Sequence, residues 1–155
     1  STPLYSSAAS DVYKRQVLGE CDEKSARDVR NYGYSIGMAY QVYDDLLDYR
    51  ATSEQLGKPA GNDLSSGIMT LPAIIAAENG AEDEIFKFFN SPEEAKADLL
   101  SKTIEAINRT GALEKTHEVA NNYIQAAMKS LDHIPPSKYL DSMMYLAEYV
   151  QKRKY

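Results

Sequence analysis

The chain has 155 residues, 43% of them hydrophobic and 26% charged, enough for one soluble globular domain with a sizeable core. A net charge of −6 and a pI near 4.9 exclude nucleic acid as the main partner, because phosphate binding needs a basic surface. No apolar run approaches the length of a membrane span, so the chain is not expected to be transmembrane, and the lone Cys21 rules out an internal disulfide framework and fits a reducing compartment.

Residues 1–16 show no sustained periodicity and no apolar signal-peptide core. The segment Ser7-Ala-Ala-Ser-Asp-Val-Tyr-Lys-Arg-Gln16 has the character of a translated sequencing-adapter scar. Residues 1–16 are therefore expected to be non-native, with the natural chain continuing upstream of Val17. A long helix is predicted from Asp22, its N-cap, to about Arg50, with Val29, Gly33, Ile36, Tyr40, Tyr43 and Leu47 stepping by three or four along one side. Thr52 to Met69 is rich in Gly, Ser, Asn and Pro and reads as a loop. An apolar helix follows from Leu71 to about Asn79 with Pro72 in its first turn, then a short helix or turn through Phe89. Ser91-Pro-Glu-Glu94 reads as a capping box with Pro at the first helical position, opening a helix that ends at Gly111. Leu113 to Leu131 repeats apolar residues at helical spacing until Pro135-Pro136, and a last helix runs from Ser137 into a basic tail. No stretch alternates over strand length, so the fold class is all-α. Glu114-Lys-Thr-His117 matches the Glu-x-x-His spacing of di-iron bundles, but a second such pair is missing, and His117 reads as a helix-surface residue.

The chemistry concentrates in Ile36-Gly-Met-Ala-Tyr-Gln-Val-Tyr-Asp-Asp-Leu-Leu-Asp-Tyr49. At about 100° per residue, Gln41, Asp44, Asp45 and Asp48 fall on one narrow strip of the helix. Tyr40, Tyr43 and Leu47 flank it on one side and Met38 and Val42 on the other, so the helix is expected to be buried nearly all round, with its acids pointing into the protein. Buried carboxylates in one patch repel one another and resist desolvation, which calls for a cation among them. Hard oxygen donors suit Mg²⁺, which takes one or two carboxylates, keeps several waters and bridges to substrate phosphates. Gly33 and Gly37 on the same strip leave a groove leading away from the acids. A cation at one end of an apolar slot suits a diphosphate with a greasy tail. The bland alternative, a solvated acidic helix face, is disfavoured by the apolar flanks, and the spacing does not fit an EF-hand loop.

Three motifs then occur in order: Ile36-Gly-x-Ala-Tyr-Gln-x-x-Asp-Asp-x-x-Asp48, Leu56-Gly-Lys-Pro-Ala-Gly-Asn-Asp63 and Gly67-x-x-Thr-Leu-Pro72. Together they resemble the second aspartate-rich region of the trans-isoprenyl (polyprenyl) diphosphate synthases, and Ser53 to Gly61 is most similar to the long-chain, solanesyl-type synthases of cyanobacteria and plastids. The resemblance covers residues 17–155 and implies the C-terminal half of an all-helical isoprenoid-synthase bundle, a homodimer at full length. The implied activity is 1'-4 condensation of an allylic prenyl diphosphate with isopentenyl diphosphate, with Mg²⁺ as cofactor.

Carried over by position, the resemblance makes Asp44 a direct metal ligand, Asp48 a second or water-mediated ligand and Asp45 an outer group of the same site. Lys58 corresponds to the lysine that grips the allylic diphosphate, Gln41 to the glutamine near the reacting carbon, and Asp63 to an acid that orders the lysine loop or the metal-bound waters. Tyr40 stands in the pocket wall where phenylalanine is usual, and Ile68 where many members carry a lysine. The family's first aspartate-rich motif and its isopentenyl diphosphate site are not in this chain, so the chain by itself is expected to be inactive and to expose apolar surface. Two other functions fit the same residues: a non-catalytic partner subunit of a prenyl synthase, and a helical metal-binding scaffold.

Overall fold

Asp22 opens the longest element of the chain. Its carboxylate accepts the Ser25 backbone N–H at 2.9 Å and the Ser25 hydroxyl at 2.6 Å, and its carbonyl accepts the Ala26 N–H at 3.0 Å, as an N-cap should. These bonds, the Ser25 hydroxyl first, hold the Asp22 carboxyl below its usual range. Its stabilising contribution is therefore present above the ordinary carboxylate pKa and is lost as pH falls through the lowered one. The computed structural model describes residue 19 and residues 22–50 and 61–152. The adapter-like segment 1–16, Cys21, Lys58 with the rest of 51–60, and the tail beyond Lys152 lie outside the described residues.

The helix that Asp22 caps, α1, spans Glu23–Arg50. It is followed by α2 (Asn62–Ser65), α3 (Leu71–Ala76), α4 (Glu82–Asn90), α5 (Glu93–Arg109), α6 (Ala112–Ser130) and α7 (Lys138–Lys152). The described residues contain no strand, as the missing alternation implies. No described helix is long and apolar enough to cross a membrane.

Three local expectations are corrected. The apolar helix from Leu71 ends at Ala76, and a wide turn over Ala77–Ala81 leaves helical geometry at Asn79 and Gly80. Gly80 has φ 100°, a conformation that glycine alone adopts without strain. The Ser91 capping box does not form: the Ser91 hydroxyl donates back to the Lys87 carbonyl at 2.6 Å, and Pro92 takes the N-cap position before a helix that begins at Glu93. The described part of the stretch expected to be loop, residues 61–69, contains a helical turn, α2, which composition did not reveal.

The core is built on α1 and α6, the most extensively packed pair of elements. Alanines let the two backbones approach closely: Ala39 on α1 and Ala112, Ala120 and Ala127 on α6 have no exposed surface. α7 joins the pair, with the Tyr32 hydroxyl donating to the Met143 carbonyl at 2.7 Å. Three helices meet at Asn121, whose Oδ1 accepts the Tyr43 hydroxyl at 2.9 Å and Gln151 Nε2 at 3.1 Å. His117 belongs to this junction and not to the surface. It is half-buried, lies 3.1 Å from Asn121 Nδ2 and meets the Tyr43 ring edge-on at 5.8 Å between centroids. α4 packs on α5, and its buried residues are Ile85 and Phe88.

The buried residues of α1 are Tyr32, Ser35, Ala39, Val42, Tyr43, Leu46 and Tyr49. They occupy one arc whose centre lies roughly 150° around the helix from the acid strip. The expectation of a helix enclosed all round is therefore corrected: one face of α1 is buried by this chain's other helices, and the opposite face carries the strip. Tyr34, Tyr40 and Val29 remain exposed, as the expected apolar surface requires.

Candidate functional site

Helical periodicity brings Gln41, Asp44, Asp45 and Asp48 together on the open side of α1, with the three acids half-buried and Gln41 exposed. Gln41 Nε2 donates to Asp45 Oδ1 at 2.8 Å, tying the strip together one turn apart. The α1 surface beside the acids is uncovered: a Cβ added at Gly33 or Gly37 would stand in open space. Tyr40, 44% exposed, borders it.

Asp48 differs from its neighbours. Its carbonyl accepts the Gly61 N–H at 2.8 Å, Oδ1 accepts the Asn62 N–H at 3.1 Å and Oδ2 accepts the Asp63 N–H at 3.0 Å. The first turn of α2 needs these acceptors, because its own N-cap, Gly61, has no side chain to offer. The result is that Asp63 arrives beside the strip. Burial first, and then the charges of Asp48, Asp45 and Asp44, push the Asp63 carboxyl above the usual range. Four acids thus share one region, which is the electrostatic signature of a place for a cation.

The next residue makes a second link that sequence reasoning missed. The Tyr49 hydroxyl lies 3.2 Å from Thr70 Oγ1 in a buried setting, joining the end of α1 to the residue that precedes α3. Burial, followed by the opposing effect of the Thr70 bond and the repulsion of Asp48, Asp63 and Asp45, leaves the Tyr49 pKa raised to about 12. A raised value means that this stabilisation is intact below pH 10 and is lost as pH rises toward 12. Tyr49→Phe is expected to cost about 1 kcal/mol in urea unfolding at neutral pH and to flatten the decline between pH 10 and 12.

Among the described residues no three His, Cys, Asp or Glu side chains converge tightly enough to cage a metal ion. Mg²⁺ does not ask for such a cage, since one or two carboxylates and a substrate phosphate suffice. The donor set therefore fits the expected ion. Lys58, expected to face the acids, is outside the described residues.

A family model described as Polyprenyl synthetase matches residues 6–107. Heptaprenyl diphosphate synthase component 2 of Bacillus subtilis is 39% identical over 139 residues, covering 90% of this chain and 39% of the relative. Solanesyl diphosphate synthase 2 of Arabidopsis thaliana is 33% identical over 127 residues, covering 82% and 30%. Among solved structures, a polyprenyl synthase from Caulobacter crescentus, complexed with calcium and isoprenyl diphosphate, superimposes with a TM-score of 0.72 at 30% identity, covering 88% of this chain and 42% of that one. Heptaprenyl diphosphate synthase from Staphylococcus aureus gives 0.77 at 25% identity, covering 85% and 41%. The chain spans about two fifths of the length of these structures and of its Bacillus relative. With an all-helical core, an acid strip and a match over most of its length, the chain belongs to the polyprenyl synthetase family.

Proposed function

We propose that this chain forms the half of a trans-polyprenyl diphosphate synthase that holds the allylic substrate, and that the intact protein condenses an allylic prenyl diphosphate with isopentenyl diphosphate. The observation that carries this reading is that Asp44, Asp45 and Asp48 share one strip of α1, that the α2 turn brings Asp63 beside them, and that the helix surface leading away at Gly33 and Gly37 is open. A divalent cation, Mg²⁺ in this reading, supplies electrostatic stabilisation for negative charge developing on the departing pyrophosphate. Asp44 is the direct ligand and Asp45, braced by Gln41, lies next to it. Lys58 supplies a second positive charge for the diphosphate, a compact ammonium suited to that task. In this reading the isoprenoid tail runs along α1 past Tyr40, and apolar walls completed by the rest of the intact protein keep water from the allylic cation. Gln41 stands near the reacting carbon.

Solved relatives lend support, since the Caulobacter crescentus enzyme is described with calcium and isoprenyl diphosphate. The expected assembly is a homodimer. The name of the Bacillus subtilis relative, component 2 of its synthase, favours a second reading in which a different subunit is the partner.

The test is incorporation of labelled isopentenyl diphosphate by the intact protein, with farnesyl or geranylgeranyl diphosphate and Mg²⁺. A polyprenyl diphosphate longer than the primer is the expected product. Incorporation only after a second subunit is added selects the second reading, and none with any primer or partner rejects the function.

A further inference from the structure

α2 is one turn of four residues, too short to be stable alone, because the first turn fixes several residues for a single hydrogen bond. Asp48 supplies acceptors to three successive amides, those of Gly61, Asn62 and Asp63. On its other side the turn is wedged against α5: a Cβ at Gly61 would stand 2.7 Å from Ile104 Cδ1 and 3.4 Å from Leu100 Cδ1. The Tyr49 and Thr70 hydroxyls secure the far end of the same segment. If Asp48 swung away to a metal ion that demands near-octahedral geometry at about 2.1 Å, the Asn62 and Asp63 amides would lose their acceptors.

We propose that Asp48 is a positioning residue and not a metal ligand: it clasps α2 to the end of α1 and so delivers Asp63 to the acid strip, leaving Asp44 and Asp45 as the strip's carboxylates for the cation. The proposal rests on the functional reading above, because it assigns work within that site. It separates two kinds of aspartate inside one motif. An asparagine at position 48 keeps one acceptor oxygen and so retains part of a clasp, whereas an asparagine in place of a ligand loses the charge that binds the ion.

The test compares Asp48→Asn, Asp48→Ala, Asp44→Asn and Asp44→Ala in the intact protein. Two measurements are made: hydrogen exchange at the Asn62 and Asp63 amides, and Mg²⁺ affinity by titration calorimetry in the presence of an unreactive diphosphate. In Asp48→Ala the two amides should exchange about tenfold faster or more, as expected for lost charge-assisted bonds, with Asp48→Asn between it and the parent. Mg²⁺ affinity should fall at least tenfold in both Asp44 variants, and in Asp48→Asn by a smaller factor, since a charge beside the ion is lost but no ligand. Unchanged exchange in Asp48→Ala overturns the clasp. So does a loss of Mg²⁺ affinity in Asp48→Asn equal to that in Asp44→Asn. Neither measurement needs turnover, so a protein that fails to transfer prenyl groups rejects the functional reading while exchange at Asn62 and Asp63 still decides the clasp.

Discussion

Replacing Asp44 by alanine in the intact protein should lower prenyl transfer by about two to three orders of magnitude, the size of effect seen when one preorganised electrostatic contact to a developing charge is removed. It should do so without unfolding the protein. Asp44 is half-buried on the face of α1 opposite the packed one, so its methylene leaves no hole in the core. Its charge also adds to the repulsion that raises the Asp63 carboxyl, and removing it relieves part of that strain. Steady-state turnover measured beside a thermal melt separates the two effects. A melt that collapses while the folded remainder keeps near-normal specific activity would show that Asp44 is structural.

Phe88→Ala should have the largest effect on stability. Phe88 is fully buried, the bulkiest of the side chains without exposed surface, and meets the Phe89 ring edge-on at 5.6 Å. Truncating a buried phenylalanine removes its transfer free energy and leaves a cavity, together about 3–5 kcal/mol. In a domain of this size that corresponds to a fall of roughly 10 °C or more in melting midpoint. Two positions earlier on the same helix, Phe86 is 68% exposed, and Phe86→Ala should stay within about 0.5 kcal/mol of the parent. Similar losses for the two variants would mean that α4 does not pack as described.

Much of this architecture was legible beforehand, and the exceptions share a cause. The limits of α1 follow from local chemistry: Asp22 caps its own helix, and the apolar spacing runs unbroken to Arg50. The grouping of Gln41 with the acids is likewise a matter of helical geometry alone. What could not be read was which side of α1 this chain covers, because Tyr40 and Leu47 flank the strip with apolar residues much as Val42 and Leu46 line the buried arc. α2 was hidden because its cap comes from Asp48, in another element, and not from an adjacent Ser, Thr or Asp. Ser91 had a valid capping pattern, yet the Lys87 carbonyl one turn back competed for its hydroxyl. His117 stands next to Tyr43 only after α6 has docked, a tertiary event with no local trace.

The pairing of α1 with α6 also bears on how the chain is made. Tyr43 and Asn121 are 78 positions apart in sequence, and translation at about 5–20 residues per second puts roughly 4–16 s between their syntheses. Through that interval the packing arc of α1, including Tyr32, Val42 and Leu46, has emerged before its main partner exists. A nascent chain in this condition is a natural client for chaperones that shield apolar helices. Rare codons between α1 and α6 would lengthen the wait and lower the yield of native protein, whereas the same codons after α7 would leave it unchanged.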